Sequence, residues 1–207
     1  MEKYNPGKMN IILAAGTQTR WNTEKFEGIP EIKQLVEVDG KILIEKIQEQ
    51  FEDSIVITND KEISAHSKKV LKPENSEVTV STLFSTHQLW YDWTTILLGD
   101  VLYGGKTVDK IHAQKEGLMF YGDKGEIYAI KWHPDLVPFI HFAINKLVTH
   151  KEWTPKFGKL WNLYRVINGI DFREHKIDKY FTFVSDCMDF DNQKRYLEYA
   201  KNKKVRK

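Results

Sequence analysis

Apolar residues in this chain fall in short continuous runs, separated by stretches with helical spacing. Asn10 to Ala15 (NIILAA) is an unbroken apolar run closed by Gly16, the pattern of a strand buried on both faces. The polar stretch from Gly16 to Lys33 has no clear period and predicts a loop. Leu35 to Val38 predicts a short strand that turns at Asp39-Gly40. Between Ile42 and Phe51, apolar residues at positions 43, 44, 47 and 51 make one helical face. Ser54 to Thr58 (SIVIT) predicts a second buried strand, and Asp60 a cap for a helix through Lys69. Val78 to Val80 is a candidate third strand, and Leu83 to Trp93 a candidate helix. Thr94 to Leu98 (TTILL) is the next core strand and runs straight into Gly99-Asp100.

The second half continues the alternation. Leu118 to Tyr121 and Glu126 to Trp132 predict paired strands around the turn residues Gly122-Asp123-Lys124-Gly125. Pro134 suits the first turn of a helix reaching His150, and Lys159 to Ile167 predicts another. Tyr180 to Val184 (YFTFV) is a strand, Asn192 to Asn202 a closing helix, and Lys201 to Lys207 a basic, frayed tail. Alternating strands and helices imply an α/β fold with a mainly parallel, mixed sheet flanked by helices on both faces. No internal repeat or linker divides the chain.

With 207 residues, the chain can bury a full core. Its 31 basic and 29 acidic side chains leave a net charge of +2, too little for a general nucleic-acid binder. One cysteine, Cys187, rules out an intrachain disulfide and fits a reducing compartment. There is no apolar segment behind a basic start and no run of about 18 uncharged apolar residues, so the reading is cytoplasmic, without a membrane span. A homo-oligomer is compatible with all of this.

In an open α/β sheet, ligands bind beyond the carboxyl ends of the strands. The first strand delivers Leu13-Ala14-Ala15-Gly16-Thr17-Gln18-Thr19-Arg20 to that edge. Its small residues let backbone N–H groups approach a phosphate or a base edge, and Arg20 adds a fixed guanidinium fork. Lys33-Gln34-Leu35-Val36 follows, then Asp39-Gly40-Lys41 and Leu43-Ile44. These two blocks resemble the signature of the sugar-phosphate nucleotidyltransferases, the enzymes that activate sugar 1-phosphates and related phosphomonoesters. That pattern is Leu-Ala-Ala-Gly-x-Gly-Thr-Arg, then Pro-Lys and an apolar strand. Two departures stand out. Gln18 replaces the second glycine, and Glu31-Ile32 separates Pro30 from Lys33.

The resemblance implies a Rossmann-like sheet of the nucleotide-diphospho-sugar transferase (GT-A-like) type in one domain. The nucleotide-binding half is expected at about 1–103, the acceptor part at about 104–180 and a metal-ligand strand with closing helix at about 181–207. It implies that Leu13, Ala14, Ala15, Gly16, Thr17, Gln18 and Thr19 hold the NTP, and that Arg20 and Lys33 contact its phosphates. It also implies Mg²⁺. Asp100, at the carboxyl end of a core strand, matches a metal ligand by position. Asp189-Phe190-Asp191 before the closing helix resembles the family's Asp-Ile-Asp-Thr-Pro-Glu-Asp ending, although Asn-Gln-Lys-Arg replaces Thr-Pro-Glu-Asp. Asp191 is the first choice for the second ligand, Asp189 the next and Asp186 a weaker alternative. Asp191 or Asn192 could equally cap the helix.

The other chemistry-bearing residues read as structural. The tryptophans suit a core or interface, and the seven histidines lack metal-ligand spacing. Cys187 has no histidine base beside it. Lys156 or Lys159 could face an acceptor phosphate, but a solvated basic face accounts for both. The expected activity is Mg²⁺-dependent transfer of NMP from CTP, UTP or dTTP to a small phosphomonoester, either a sugar 1-phosphate or a phosphorylated amino alcohol. Two other readings stay open. In one, a GT-A-type glycosyltransferase uses Asp189-Phe190-Asp191 as an Asp-x-Asp motif. The other is a non-catalytic nucleotide-binding protein.

Overall fold

The computed structural model describes residues 7–16, 21–115, 117–149 and 159–204. In chain order the strands are β1 Lys8–Leu13, β2 Glu37–Val38, β3 Lys41–Ile42, β4 Ile55–Ile57, β5 Val70–Leu71, β6 Trp93–Leu98, β7 Val101–Leu102, β8 Leu118–Gly122, β9 Ile127–Trp132, β10 Phe181–Phe183 and β11 Met188–Asp189. The helices are α1 Leu43–Gln50, α2 Lys61–Ala65, α3 Thr79–Phe84, α4 Gly105–Ala113, α5 Val137–Thr149, α6 Leu160–Asn168 and α7 Gln193–Lys204. No helix among the described residues is long and apolar enough to cross a membrane.

Seven strands form one sheet in the order β10-β8-β9-β6-β1-β4-β5. The β6-β1-β4-β5 half is parallel, β9 runs antiparallel to β6 and β8, and β10 returns parallel to β8. The sheet is therefore mixed and mainly parallel. Strand alternation sorts its side chains between two cores. Ile12, Val56, Leu97, Tyr121 and Ala129 face the layer built with Ile47 of α1, Phe51 just after it, Ile63 of α2 and Ile111 of α4. Ile11, Leu13, Ile57, Ile96, Phe120 and Ile130 face the layer built with Val80 and Leu83 of α3, Ile140 and Ile144 of α5, and Leu163 of α6. Continuous apolar strands are needed because both faces are covered.

Most of the predicted elements form. Leu43, Ile44, Ile47 and Phe51 are fully buried, as their spacing requires. Asp39 and Gly40 both take positive φ and close the β2–β3 hairpin. The Asp60 carboxylate accepts from the Glu62 and Ile63 N–H groups, but α2 ends at Ala65 rather than Lys69. Val78 to Val80 is not a strand. Ser81 Oγ bonds both the N–H and the C=O of Val78, and the Thr82 N–H bonds the same carbonyl, so the chain turns into α3 there. The candidate helix over Leu83 to Trp93 is broken: α3 stops at Phe84, a 3-10 turn covers His87–Leu89, and β6 begins at Trp93.

The carboxyl ends of β1 and β6 lie side by side, with Leu13 opposite Leu98. The Gly99 N–H donates to the Leu13 carbonyl at 2.9 Å. A Cβ at Gly99 would lie 3.0 Å from both the Leu13 carbonyl oxygen and the Ala14 Cβ. Gly99→Ala should therefore push these strand ends apart and cost about 1–3 kcal/mol in a denaturant melt. An unchanged midpoint would mean that the two ends have slack.

Candidate active site

The segment after β6 is held by a tyrosine that sequence reasoning passed over. The buried Tyr103 hydroxyl accepts from the Leu98 N–H at 2.9 Å and donates to the Tyr128 carbonyl at 2.6 Å. Burial, with the neighbouring charges, pushes this phenol well above its usual pKa, so it stays a hydrogen-bonding hydroxyl. It ties the turn carrying Asp100 to β9. On the other side, β11 pairs antiparallel with β7, Asp189 opposite Val101, and the Phe190 N–H donates to the Asp100 carbonyl at 3.2 Å. Residues 188–190 thus run against residues 100–102. Phe190 is fully buried in the core. Asp189 and Asp191, two apart, flank it and both line one cavity.

Lys33 begins a 3-10 turn at the end of the long loop, and its ammonium forms an ion pair with the Asp100 carboxylate. The two side chains are only 12% and 20% exposed. The Glu31-Ile32 insertion therefore does not keep Lys33 from Asp100. Burial lowers the lysine pKa, but Asp100, backed by Asp189 and Asp191, outweighs it and the net shift is upward. Asp189 is the opposite case. It is 6% exposed, and its Oδ1 is buried without a hydrogen-bond partner among the described residues. Burial, with repulsion from Asp100 and Asp191, drives its pKa up to about 8 despite Lys33. Such a carboxylate is costly to keep ionised unless a cation joins it.

Two cavities meet here. One, of about 250 Å³, is lined by Leu13, Ala15, Gly16, Lys33, Asp100 and Asp189, with Ser76 to Thr79 as a far wall. The other, of about 530 Å³, is lined by Asp123, Tyr128, Asp191 and Arg195 among others. Glu126, Lys159 and Asp189 border both. Burial raises the Glu126 pKa, with Lys159 opposing and Asp100 and Asp191 adding to the shift. Glu126 was not singled out in the sequence, since an acidic residue closing a Gly-Asp-Lys-Gly turn carries no signal of its own. The wall at Ser76 to Thr79 was hidden by the strand expectation at Val78 to Val80.

Of the expected site residues, the structure brings together Leu13, Ala15, Gly16, Lys33, Asp100 and Asp189, with Asp191 in the adjoining cavity. Ala14 is buried behind them, its N–H donating to the Ile57 carbonyl at 2.9 Å. Thr17, Gln18, Thr19 and Arg20 lie outside the described residues, as does Lys156. The helix cap falls to Asn192, whose Oδ1 accepts from the Arg195 N–H at 2.9 Å. Asp186 binds the Thr107 hydroxyl and N–H at the start of α4 rather than lining either cavity. Burial pushes the Cys187 thiol up, which does not favour a thiolate.

The donor set suits a hard cation. Mg²⁺ takes one or two carboxylates and fills its remaining positions with phosphate oxygens and water. Among the described residues, no three His, Cys, Asp or Glu side chains are grouped to hold a metal by themselves. The orphaned, buried Asp189 oxygen beside Asp100 is where such an ion fits.

The mixed, mainly parallel seven-stranded sheet is similar in fold to solved nucleotidyltransferases. One similar structure is the CTP:phosphocholine cytidylyltransferase LicC from Streptococcus pneumoniae: TM-score 0.64, 16% identity, 94% of this chain and 98% of that one covered. A UTP-bound UGPase from Acinetobacter baumannii gives 0.63, 12%, 97% and 94%. A putative glucose-1-phosphate thymidylyltransferase from Bacillus anthracis gives 0.61, 13%, 93% and 93%. No protein-family model matches the chain, and no curated protein matches it in sequence. At these identities the likeness is one of fold.

Proposed function

We propose that this chain is a cytoplasmic, Mg²⁺-dependent nucleotidyltransferase that moves a nucleoside monophosphate from an NTP to a small phosphomonoester. The observation that carries this reading is the meeting of Asp100 with the buried, partly unpartnered Asp189, beside Lys33, at the carboxyl end of β6. Nucleotidyl transfer needs two anionic substrates held together and charge offset at the reacting phosphorus. The segment Leu13 to Thr19 would place the nucleotide. Arg20 would hold the leaving β- and γ-phosphates. Lys33 would leave Asp100 to offset charge at the α-phosphate. An acceptor phosphate oxygen then attacks the α-phosphorus in line, the bond to the bridging oxygen breaks, and pyrophosphate leaves. Mg²⁺, held by Asp100 with either Asp189 or Asp191, would supply charge neutralisation at that phosphate. The larger cavity, bordered by Glu126, Lys159 and Arg195, would take the acceptor.

The test is pyrophosphate release with CTP, UTP and dTTP against phosphocholine, glucose 1-phosphate and related phosphomonoesters. One NTP–acceptor pair is expected to release pyrophosphate, and chelation should stop it. Release of a nucleoside diphosphate from a nucleotide-sugar donor, with no pyrophosphate from any NTP, would mean a glycosyltransferase. Mg²⁺-dependent NTP binding without turnover on any acceptor would favour a binding protein.

A further inference from the structure

The closing helix begins two residues after Asp191, and its first residue reaches back to the loop that precedes Lys33. Gln193 is 2% exposed, and its Oε1 accepts the Phe26 N–H at 2.8 Å. An N–H can only donate, so this contact needs the amide oxygen. Phe26 lies in the loop over residues 21–32, which joins the residues after β1 to Lys33. That loop is tied internally: Trp21 Nε1 donates to the Pro30 carbonyl at 2.8 Å, and Asn22 Nδ2 to the Glu31 carbonyl at 3.2 Å. The Trp21 ring also stands edge-on to Tyr196 on α7, with centroids 6.2 Å apart. The Tyr196 hydroxyl donates to the Glu37 carbonyl at 2.9 Å, just beyond Lys33.

We propose that Gln193 is a positioning residue, which couples the strap carrying Asp189 and Asp191 to the loop that leads into Lys33. A buried glutamine with a single defined acceptor role, at the start of a helix where any good helix former would serve, is otherwise unexplained. Through this bond, metal ligands and phosphate-binding cation keep a fixed separation although they lie more than 150 residues apart in sequence. Proline, which the resembling motif carries at this position, has no side-chain oxygen to make it.

This inference rests on the nucleotidyltransferase reading, and its test separates the two. Gln193→Leu removes the acceptor and Gln193→Glu retains it. Hydrogen exchange without nucleotide should show the Phe26 amide exchanging at least tenfold faster in Gln193→Leu, and near the wild-type rate in Gln193→Glu. Calorimetry with Mg²⁺ and CTP, UTP or dTTP should show at least fivefold weaker nucleotide binding for Gln193→Leu and rescue by Gln193→Glu. In turnover, KM for the NTP should rise while KM for the acceptor stays within twofold. A folded Gln193→Leu protein that binds NTP as tightly as the wild type overturns the coupling alone. A wild-type protein that binds none of the three nucleotides overturns the underlying reading, and this inference with it.

Discussion

Asp189→Asn is expected to stabilise the metal-free protein while abolishing nucleotidyl transfer. Both effects come from one carboxylate. Asp189 is buried, its Oδ1 lacks a partner, and its pKa is pushed up to about 8 by burial and by Asp100 and Asp191. The folded protein therefore holds a proton here over a range where the unfolded chain has released it. Its folded-state pKa is raised, so the contribution is fully present below the unfolded aspartate range and is lost as pH rises through about 8. The amide cannot ionise and escapes that loss. The gain should be near zero around pH 4 and greatest above pH 8. It should be on the order of 1–2 kcal/mol, since the amide brings its own unsatisfied N–H groups. In a chain of this size that moves Tm by roughly 2–8 °C. Melts in chelator at pH 5 and 8.5 would measure it. The same change removes a negative ligand from the proposed cation site, so turnover should fall by about 10³-fold or more. If the variant melted with the wild type at pH 8.5, Asp189 would be ionised at no cost and would not be a carboxylate kept for a cation.

The sequence showed this arrangement only in parts, and the division has a physical basis. Strands covered on both faces must be continuously apolar, so β1, β4 and β6 stand out in NIILAA, SIVIT and TTILL. The residues that leave their carboxyl ends could then be assigned to a cleft without coordinates. Asp100, directly after β6, is placed for that reason, whereas Lys33, well beyond β1, is picked out only by the resemblance. Asp189 and Asp191 were less legible, because their place depends on β11 pairing with β7 across almost 90 residues of chain. A two-residue strand has no pattern of its own. The ranking was also affected. Asp191 is the first choice from the sequence, whereas Asp189 is the more buried of the two in the structure. Local side-chain bonding overrode propensity at Val78, where Ser81 and Thr82 turn a β-branched stretch into a helix start. The Tyr103 and Gln193 bonds are tertiary contacts of common residues, and no spacing announces them.

Lys33→Ala should lower kcat/KM by about 10³-fold or more, and should also make the stability of the fold depend on Mg²⁺. The lysine is a largely buried cation paired with Asp100, in the field of Asp189 and Asp191. Truncating it removes the cation that Asp100, Asp189 and Asp191 all act on. Removing one partner of a buried ion pair costs on the order of 3 kcal/mol, and the metal-free variant should melt correspondingly lower. A divalent cation can take over the missing charge. Millimolar Mg²⁺ should therefore restore much of the lost stability in the variant, while shifting the wild type only slightly, because Lys33 already neutralises Asp100 there. Lys33→Arg keeps the charge but replaces a compact ammonium with a planar fork. It should hold the metal-free stability better than it holds activity. That separation tests whether Lys33 does more than balance charge. Melts with and without Mg²⁺, together with turnover of each variant, give the answer. Equal Mg²⁺ shifts in the wild type and Lys33→Ala would mean that Lys33 and the cation do not share Asp100. Turnover within tenfold of the wild type in Lys33→Ala would remove this lysine from the reacting phosphate. The expected combination would make the Lys33–Asp100 pair the resting form of the site, in which the lysine holds the place of the metal until the nucleotide draws it to phosphate.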